Sequence, residues 1–176
     1  VTLTGNGVGT LTGEIALSND DSDENPFNFP IQLMASSVEI GSVMVPPPLT
    51  FKAGDNLDFI VNFTQPVTVT GDVTLPITLD TGTVDAALVG TGSSSNFHIF
   101  RYTIAPGDID NNNGLEVNNE LVLASGAAIQ DASGNEVTGT LNNVGDTTGI
   151  NIDAIAPTIT GITRQNPTDA NINSAD

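Results

Sequence analysis

The sequence predicts an all-β protein. Between residues 57 and 63 every second residue is apolar, and this period of two is typical of a strand with one buried face. The chain has 18 glycines and 10 prolines among its 176 residues, which favours short strands joined by many turns. No long window keeps the apolar period that a helix needs. Apolar residues make up 38% and aromatic residues only 5%, so the core is expected to be aliphatic.

The stretch from residue 51 to residue 71 is the expected centre of the fold. Its predicted buried residues are Leu57, Phe59, Val61 and Phe63. A turn at 54–56 precedes this strand. Pro66 is expected to end it with a bend, because proline cannot donate to a strand ladder, and a short second strand follows at 67–69.

Alternating apolar residues predict the remaining strands. They fall at 8–18, 27–33, 38–45, 73–79, 84–89, 97–104, 115–117, 121–123, 137–141 and 150–153. Pro76 predicts a sheet edge or a bulge in its strand. In the strand 97–104, one face is predicted to hold His98, Phe100, Tyr102 and Ile104, with His98 partly buried and hydrogen-bonded.

The pattern divides the chain into one complete module and two partial ones. About seven short strands at 35–155 are typical of an immunoglobulin-like β-sandwich. Residues 1–34 carry too few strands to close a sandwich, and 156–176 supply the first strand of a following module or an exchanged strand. The residues predicted to pair between modules or molecules are Phe27, Phe29, Ile31, Leu33, Ile159 and Ile162.

The charge excludes several classes of partner. Three basic residues face 21 acidic ones, for a net charge of −18, whereas binding phosphates requires lysine and arginine. Nucleic acid is therefore excluded, and an anionic membrane surface is disfavoured. The acidic excess is either a solvated surface or a set of ligands for divalent cations.

The sequence also lacks several features that would indicate particular chemistry or targeting. There is no cysteine, which excludes disulfides, thiol catalysis and zinc–thiolate sites. No apolar run is long enough for membrane insertion, and no signal peptide is recognised. The chain starts at Val1 without a methionine, so we expect a processed or cut end.

The loop 108–116 is the first candidate for a metal site. Asp108, Asp110, Asn112 and Glu116 place oxygen donors near a glycine, as calcium loops do, although the final acid does not fall at the EF-hand distance. The alternative is an Asx-rich turn that only makes local hydrogen bonds. The turn 131–136 is interpreted as structural.

The sequence predicts no enzyme. The carboxylate pair Asp108 and Asp110 could suggest a glycosidase, but there is no tryptophan to stack on a sugar. The single histidine, His98, has no cysteine and no serine in a nucleophile elbow to pair with.

Two parts of the sequence resemble known repeats. The run IALSNDDSDENPFNFPIQL resembles the last hairpin of the immunoglobulin-like repeats called choice-of-anchor D, which are related to HYDIN-type domains. The segments KAGDNLDFIVNFTQPVTVTG, FRYTIAPGDID, IQDASGNEVTG and NIDAIAPTITGI resemble successive landmarks of bacterial immunoglobulin-like repeats. Such repeats occur in tandem in large cell-surface adhesins and biofilm proteins, and are similar to cadherin-like modules.

The resemblance implies a non-enzymatic structural repeat outside the cell or at its surface, in an adhesin stalk, a biofilm matrix or a filament. It also implies calcium at module junctions, with Asp153 as a ligand. The partners would be neighbouring repeats in a covalent array, or copies of the chain that exchange strands. The alternative is an extracellular module that binds a glycan or a protein through the loop 90–96. The resemblance does not identify the host or matrix ligand.

Overall fold

A computed structural model describes residues 9–163 except 22, 24, 36, 91, 112 and 113, and the side chains of this part except 9–11 and 33–35. The described residues contain only strands, turns and irregular segments, which confirms the all-β prediction. No helix among them is long and apolar enough to cross a membrane. The strands are β1 (Gly9–Leu17), β2 (Phe27–Ala35), β3 (Ile40–Met44), β4 (Thr50–Phe51), β5 (Asn56–Thr70), β6 (Val73–Leu79), β7 (Gly82–Leu88), β8 (Ser95–Thr103), β9 (Ile109–Asp110), β10 (Glu116–Val117), β11 (Val122–Leu123), β12 (Ala128–Asp131) and β13 (Asn151–Asp153).

The strands form three antiparallel or mixed sheets. β1 and β2 make a two-stranded hairpin. The largest sheet has the order β10-β6-β7-β8-β5-β12, with β11 beside β6 and β3 beside β5. A smaller sheet has the order β4-β13-β9. Ile150 and Ile152, at the smaller sheet, are fully buried in the same apolar cluster as the large sheet, so the two sheets enclose one sandwich-like core.

β5 is the longest strand of the described residues, and one of its faces is buried, as its alternation predicts. Leu57, Phe59 and Val61 are 0% exposed and Phe63 is 5% exposed. Along this part of β5, β3 pairs with one edge of the strand and β8 pairs with the other edge. The side chains that alternate with these residues are partly polar. They lie on the face away from the core, because successive side chains of a strand point to opposite faces.

The expected break at Pro66 is wrong, because β5 continues to Thr70 as one strand. Pro66 is exposed and lies where the register with β8 shifts, between Asn62 and Val67. A missing N–H is tolerated at such an irregularity, since no ladder hydrogen bond is required of it. Beyond Pro66, β5 pairs with β12, a strand that the sequence pattern does not predict and that ends where the predicted turn 131–136 begins.

The expectation of a sheet edge at Pro76 is also wrong. β6 is paired with β7 along one edge and with β10 and β11 along the other. The Pro76 carbonyl accepts a hydrogen bond from the Asn118 amide at 3.0 Å, in the gap between β10 and β11. The N–H that proline lacks would point to the same side as its carbonyl, where the ladder is already interrupted.

Two predicted strands do not form in the described structure. Residues 137–141 make a single isolated bridge, between Thr140 and Glu120, although Val137 and Leu141 are buried in the core. Residues 154–163 form no strand pairing with any other described residue. The other predicted strands are present with shifts of a few residues at their ends.

Candidate cation site and exposed apolar surfaces

Asp108 lies in the turn after β8, and its carboxylate accepts hydrogen bonds from nearby residues of the same chain. Its Oδ2 atom accepts a hydrogen bond of 2.6 Å from the Tyr102 hydroxyl and one of 2.8 Å from the Ala105 amide. Burial, and then the neighbouring Asp108 carboxylate, raise the pKa of Tyr102 to about 12. Asp108 therefore closes its turn by local hydrogen bonds, as the alternative interpretation of the loop predicts.

Asp110 lies on β9 and is a buried carboxylic acid. Its side chain is 2% exposed, and it is paired in register with Ile152 of β13, which is fully buried. Its Oδ2 atom is buried and has no hydrogen-bond partner in the described part of the chain. Burial, and then the charge of Asp80, raise the pKa of Asp110. A buried oxygen without a partner is rare in proteins and costs free energy.

The turn between β6 and β7 lies against the outer edge of β9. The Asn111 amide donates a hydrogen bond of 3.1 Å to Oδ2 of Asp80, and the Ile109 amide donates one of 3.4 Å to the Thr81 hydroxyl. Asp110 lies between these two anchoring residues. The exposed carboxylate of Asp80 and the buried carboxyl of Asp110 are thereby held at neighbouring positions.

The other predicted calcium ligands lie elsewhere. Asp153 is exposed and is paired with Ile109, so its side chain leaves the sheet on the face opposite to that of Asp110. Glu116 is exposed and pairs with Thr78 in the larger sheet. Asn112 falls outside the described residues.

Among the described residues, no group of three or more acidic or histidine side chains converges on one point. Sequence reasoning also missed Asp80, because the Asp80-Thr81-Gly82 segment is typical of a simple turn. No local signal relates it to the loop 108–116, since the contact arises only from the pairing of the strands.

The hairpin of β1 and β2 carries an exposed apolar face. Leu17 pairs with Phe27 and Ile15 with Phe29, and these residues lie on one face because every second side chain of a strand points to the same side. Leu17 is 51% exposed, Phe27 47% and Phe29 43%, and the two phenyl rings meet edge to face at 4.7 Å. Ile31 lies in the same phase and is half-buried. The backbone of Leu33 continues β2, but its side chain is outside the described set.

The tail after β13 is the second exposed apolar feature. Ile159 is 83% exposed and Ile162 is 90% exposed. The described part of this tail forms no strand, so its pairing with another module stays a prediction.

The remaining candidates have structural explanations. His98 is 8% exposed, its Nε2 atom lies 3.1 Å from the Val67 carbonyl oxygen, and its ring meets that of Phe63. Asp131 caps its turn by accepting hydrogen bonds from the Ser133 and Asn135 amides, and its bonds with Asn135 lower its pKa. Both residues agree with the structural roles predicted from the sequence. Comparison with family models, with curated proteins and with solved structures finds no match for this chain.

Proposed function

We propose that the chain is a non-enzymatic structural module of a secreted or cell-surface bacterial protein, joined to neighbouring immunoglobulin-like modules through the apolar face of its hairpin. The observation that carries the proposal is the exposed face formed by Ile15, Leu17, Phe27, Phe29 and Ile31. A two-stranded hairpin is at best marginally stable alone in water, so this face requires a cover. Another module of the same class supplies an apolar, strand-based cover of the right kind.

The architecture supports this proposal in a second way. Short antiparallel strands around one aliphatic core are what an immunoglobulin-like spacer needs, and we assign the sandwich to that class. Within the described residues, the hairpin is paired only with itself, and the exposed Ile159 and Ile162 follow the last strand. A module with apolar elements before and after its sandwich is suited to a linear array.

The covering module has two possible sources, the same polypeptide or a second copy of the chain. The test measures mass in solution by light scattering, and amide exchange by mass spectrometry, over a range of concentrations. It compares the intact chain, Phe27→Ser/Phe29→Ser on the apolar face, Asn28→Ser/Gln32→Ser on the opposite face, and a chain without residues 157–176.

If the mass of the intact chain and of the control rises with concentration, but Phe27→Ser/Phe29→Ser stays a monomer, copies of the chain pair through the apolar face. If removal of 157–176 also abolishes it, the tail is the exchanged strand. A monomer with fast exchange in β1 and β2, which slows when the flanking repeat of the natural polypeptide is attached, indicates a covalent array. A monomer in which β1 and β2 are as protected as β5 would overturn the proposal, because the hairpin would then pack on its own sandwich.

A second candidate function is recognition of a glycan or protein through the loop 90–96. A concave patch of about 210 Å³ borders this loop and is lined by Val89, Phe97 and His98. Phe97 is 52% exposed, which offers an aromatic surface for a ligand. Binding to a glycan array that disappears in Phe97→Ala, with unchanged thermal stability, would favour this function over the structural one.

A further inference from the structure

Asp110 has a buried oxygen without a partner, and the next residue, Asn111, holds a second carboxylate, that of Asp80. Asp110 is 2% exposed, and its Oδ2 atom lacks any hydrogen-bond partner in the described part of the chain. The hydrogen bond from the Asn111 amide to Asp80 fixes the exposed carboxylate next to it. Bringing an ionised carboxylate out of water beside a like charge is costly unless a positive group compensates it.

The described part of the chain offers little compensation. Of the three basic residues, Arg164 lies outside the described residues, and the Arg101 guanidinium lies 2.6 Å from the Asp58 carboxylate. Lys52 is exposed, and its backbone amide donates a hydrogen bond to Asp55. Within the described residues, the remaining sources of positive charge for Asp110 are a proton on its own carboxyl group or a cation from the solvent.

We propose that Asp80 and Asp110 together bind a hard divalent cation, calcium or magnesium, whose remaining ligands are water molecules. Carboxylate oxygens are the donors that both ions prefer, and sites built on one or two carboxylates keep much of the hydration shell. Asp80, which is exposed, gives the ion a path from solvent, and Asp110 anchors it at the edge of the small sheet. The affinity should be modest, with a dissociation constant of roughly 0.1–1 mM, as in extracellular modules.

This site differs from the calcium loop that the sequence suggests. It uses Asp80 from the β6–β7 turn and leaves out Asp153 and Glu116, which lie on other faces. The ion would tie the β6–β7 turn of the large sheet to β9 of the small sheet. It would thereby brace the two layers of the sandwich against each other, whether or not the hairpin joins another module.

The experiment titrates the intact chain with calcium and separately with magnesium at neutral pH, after chelator treatment, by calorimetry and thermal melts. Backbone amide shifts in NMR spectra locate the ion. Asp110→Asn and Asp80→Asn remove the proposed ligands, and Asp153→Asn and Glu116→Gln are matched controls that change the charge equally. We expect a higher melting temperature with the cation, shifts centred on residues 80–81 and 109–111, and a loss of affinity of about tenfold or more in the two ligand variants only.

Each other outcome overturns the proposal. An equal loss in Asp153→Asn or Glu116→Gln would mean diffuse attraction to an acidic surface. The absence of any cation effect, combined with greater stability of Asp110→Asn, would mean that Asp110 is kept neutral by a proton. If Asp110→Asn does not fold, Asp80→Asn decides the question, because Asp80 is exposed and its replacement leaves the core intact.

Discussion

The hydroxyl of Tyr102 donates a hydrogen bond of 2.6 Å to Oδ2 of Asp108, and the same oxygen accepts a bond of 2.8 Å from the Ala105 amide. The pair therefore connects the end of β8 to the turn that leads into β9. This turn sets the position of Asp110, because Asp110 follows Asp108 by one alternation of the strand. The contact between Tyr102 and Asp108 therefore helps to place the segment that carries Asp110.

Tyr102→Phe should lower the free energy of unfolding by about 1 kcal/mol, near the middle of the range for a net hydrogen bond. The effect is kept small because Asp108 retains its bond to the Ala105 amide. Denaturant melts measure it, with Thr103→Val as the control, since Thr103 bonds Asn56 at the exposed surface. Equal losses in both variants would show that the Tyr102–Asp108 contact has no special role in closing the turn.

Phe59→Ala should destabilise the chain by about 3–5 kcal/mol, because it leaves a cavity in the core around β5. Phe59 is 0% exposed and lies opposite Phe100 of β8. Phe97→Ala removes the same ring from a site that is 52% exposed, so it should cost far less in the same denaturant melts. A loss below about 1 kcal/mol in Phe59→Ala would contradict the assignment of this face to the core.

Gly71→Ala should cost more than Gly126→Ala, although both glycines have positive φ angles, of 75° and 84°. An added Cβ at Gly71 would lie 2.7 Å from Cα of Ala127, whereas at Gly126 it would meet no atom within 4 Å. Gly126→Ala should therefore show only the left-handed penalty of about 1–2 kcal/mol.

The contact with Ala127 should add about 1–3 kcal/mol to the cost of Gly71→Ala, as overpacking does. Thermal or denaturant melts of the two variants give the difference directly. Indistinguishable losses would mean that the close approach between the Gly71 turn and the segment before β12 relaxes without cost.

The ion pair between Asp58 and Arg101 predicts a specific dependence on pH. Arg101 donates to both carboxylate oxygens, at 2.6 and 2.7 Å, and this hydrogen bonding is the main cause that lowers the pKa of Asp58. A lowered pKa means that the folded chain favours the ionised form. The stabilisation is therefore present above the ordinary aspartate pKa of about 3.9, and it is lost as the pH falls through the lowered value.

Arg101→Gln tests this dependence. The stability difference between the natural chain and Arg101→Gln should be constant near neutral pH and should shrink in acid, as measured by denaturant melts at each pH. Lys52→Gln makes the same change of charge at another exposed position and is the control. A difference that grows toward acid would have the wrong sign for a lowered pKa.

The sequence by itself determined the strand content and most of the core. Period-two alternation placed Leu57, Phe59, Val61 and Phe63 inside. It also placed His98 and Phe100 on the buried face of β8, and Ile104, just after β8, in the core. These predictions succeed because the side chains of a strand alternate strictly between faces, so one buried face leaves a local pattern. The turns predicted at 54–56 and 131–136 were equally local, since glycine and aspartate fix them within a few residues.

Only the tertiary structure decided which strands pair and which acids meet. The continuity of β5 through Pro66, and the interior position of Pro76, depend on where neighbouring strands interrupt their ladders. The same holds for Asp80 and Asp110, which are distant in the chain and are brought together only because the β6–β7 turn lies against β9. The physical reason is that strand pairing is set by contacts between remote segments, and no local pattern in the sequence encodes them.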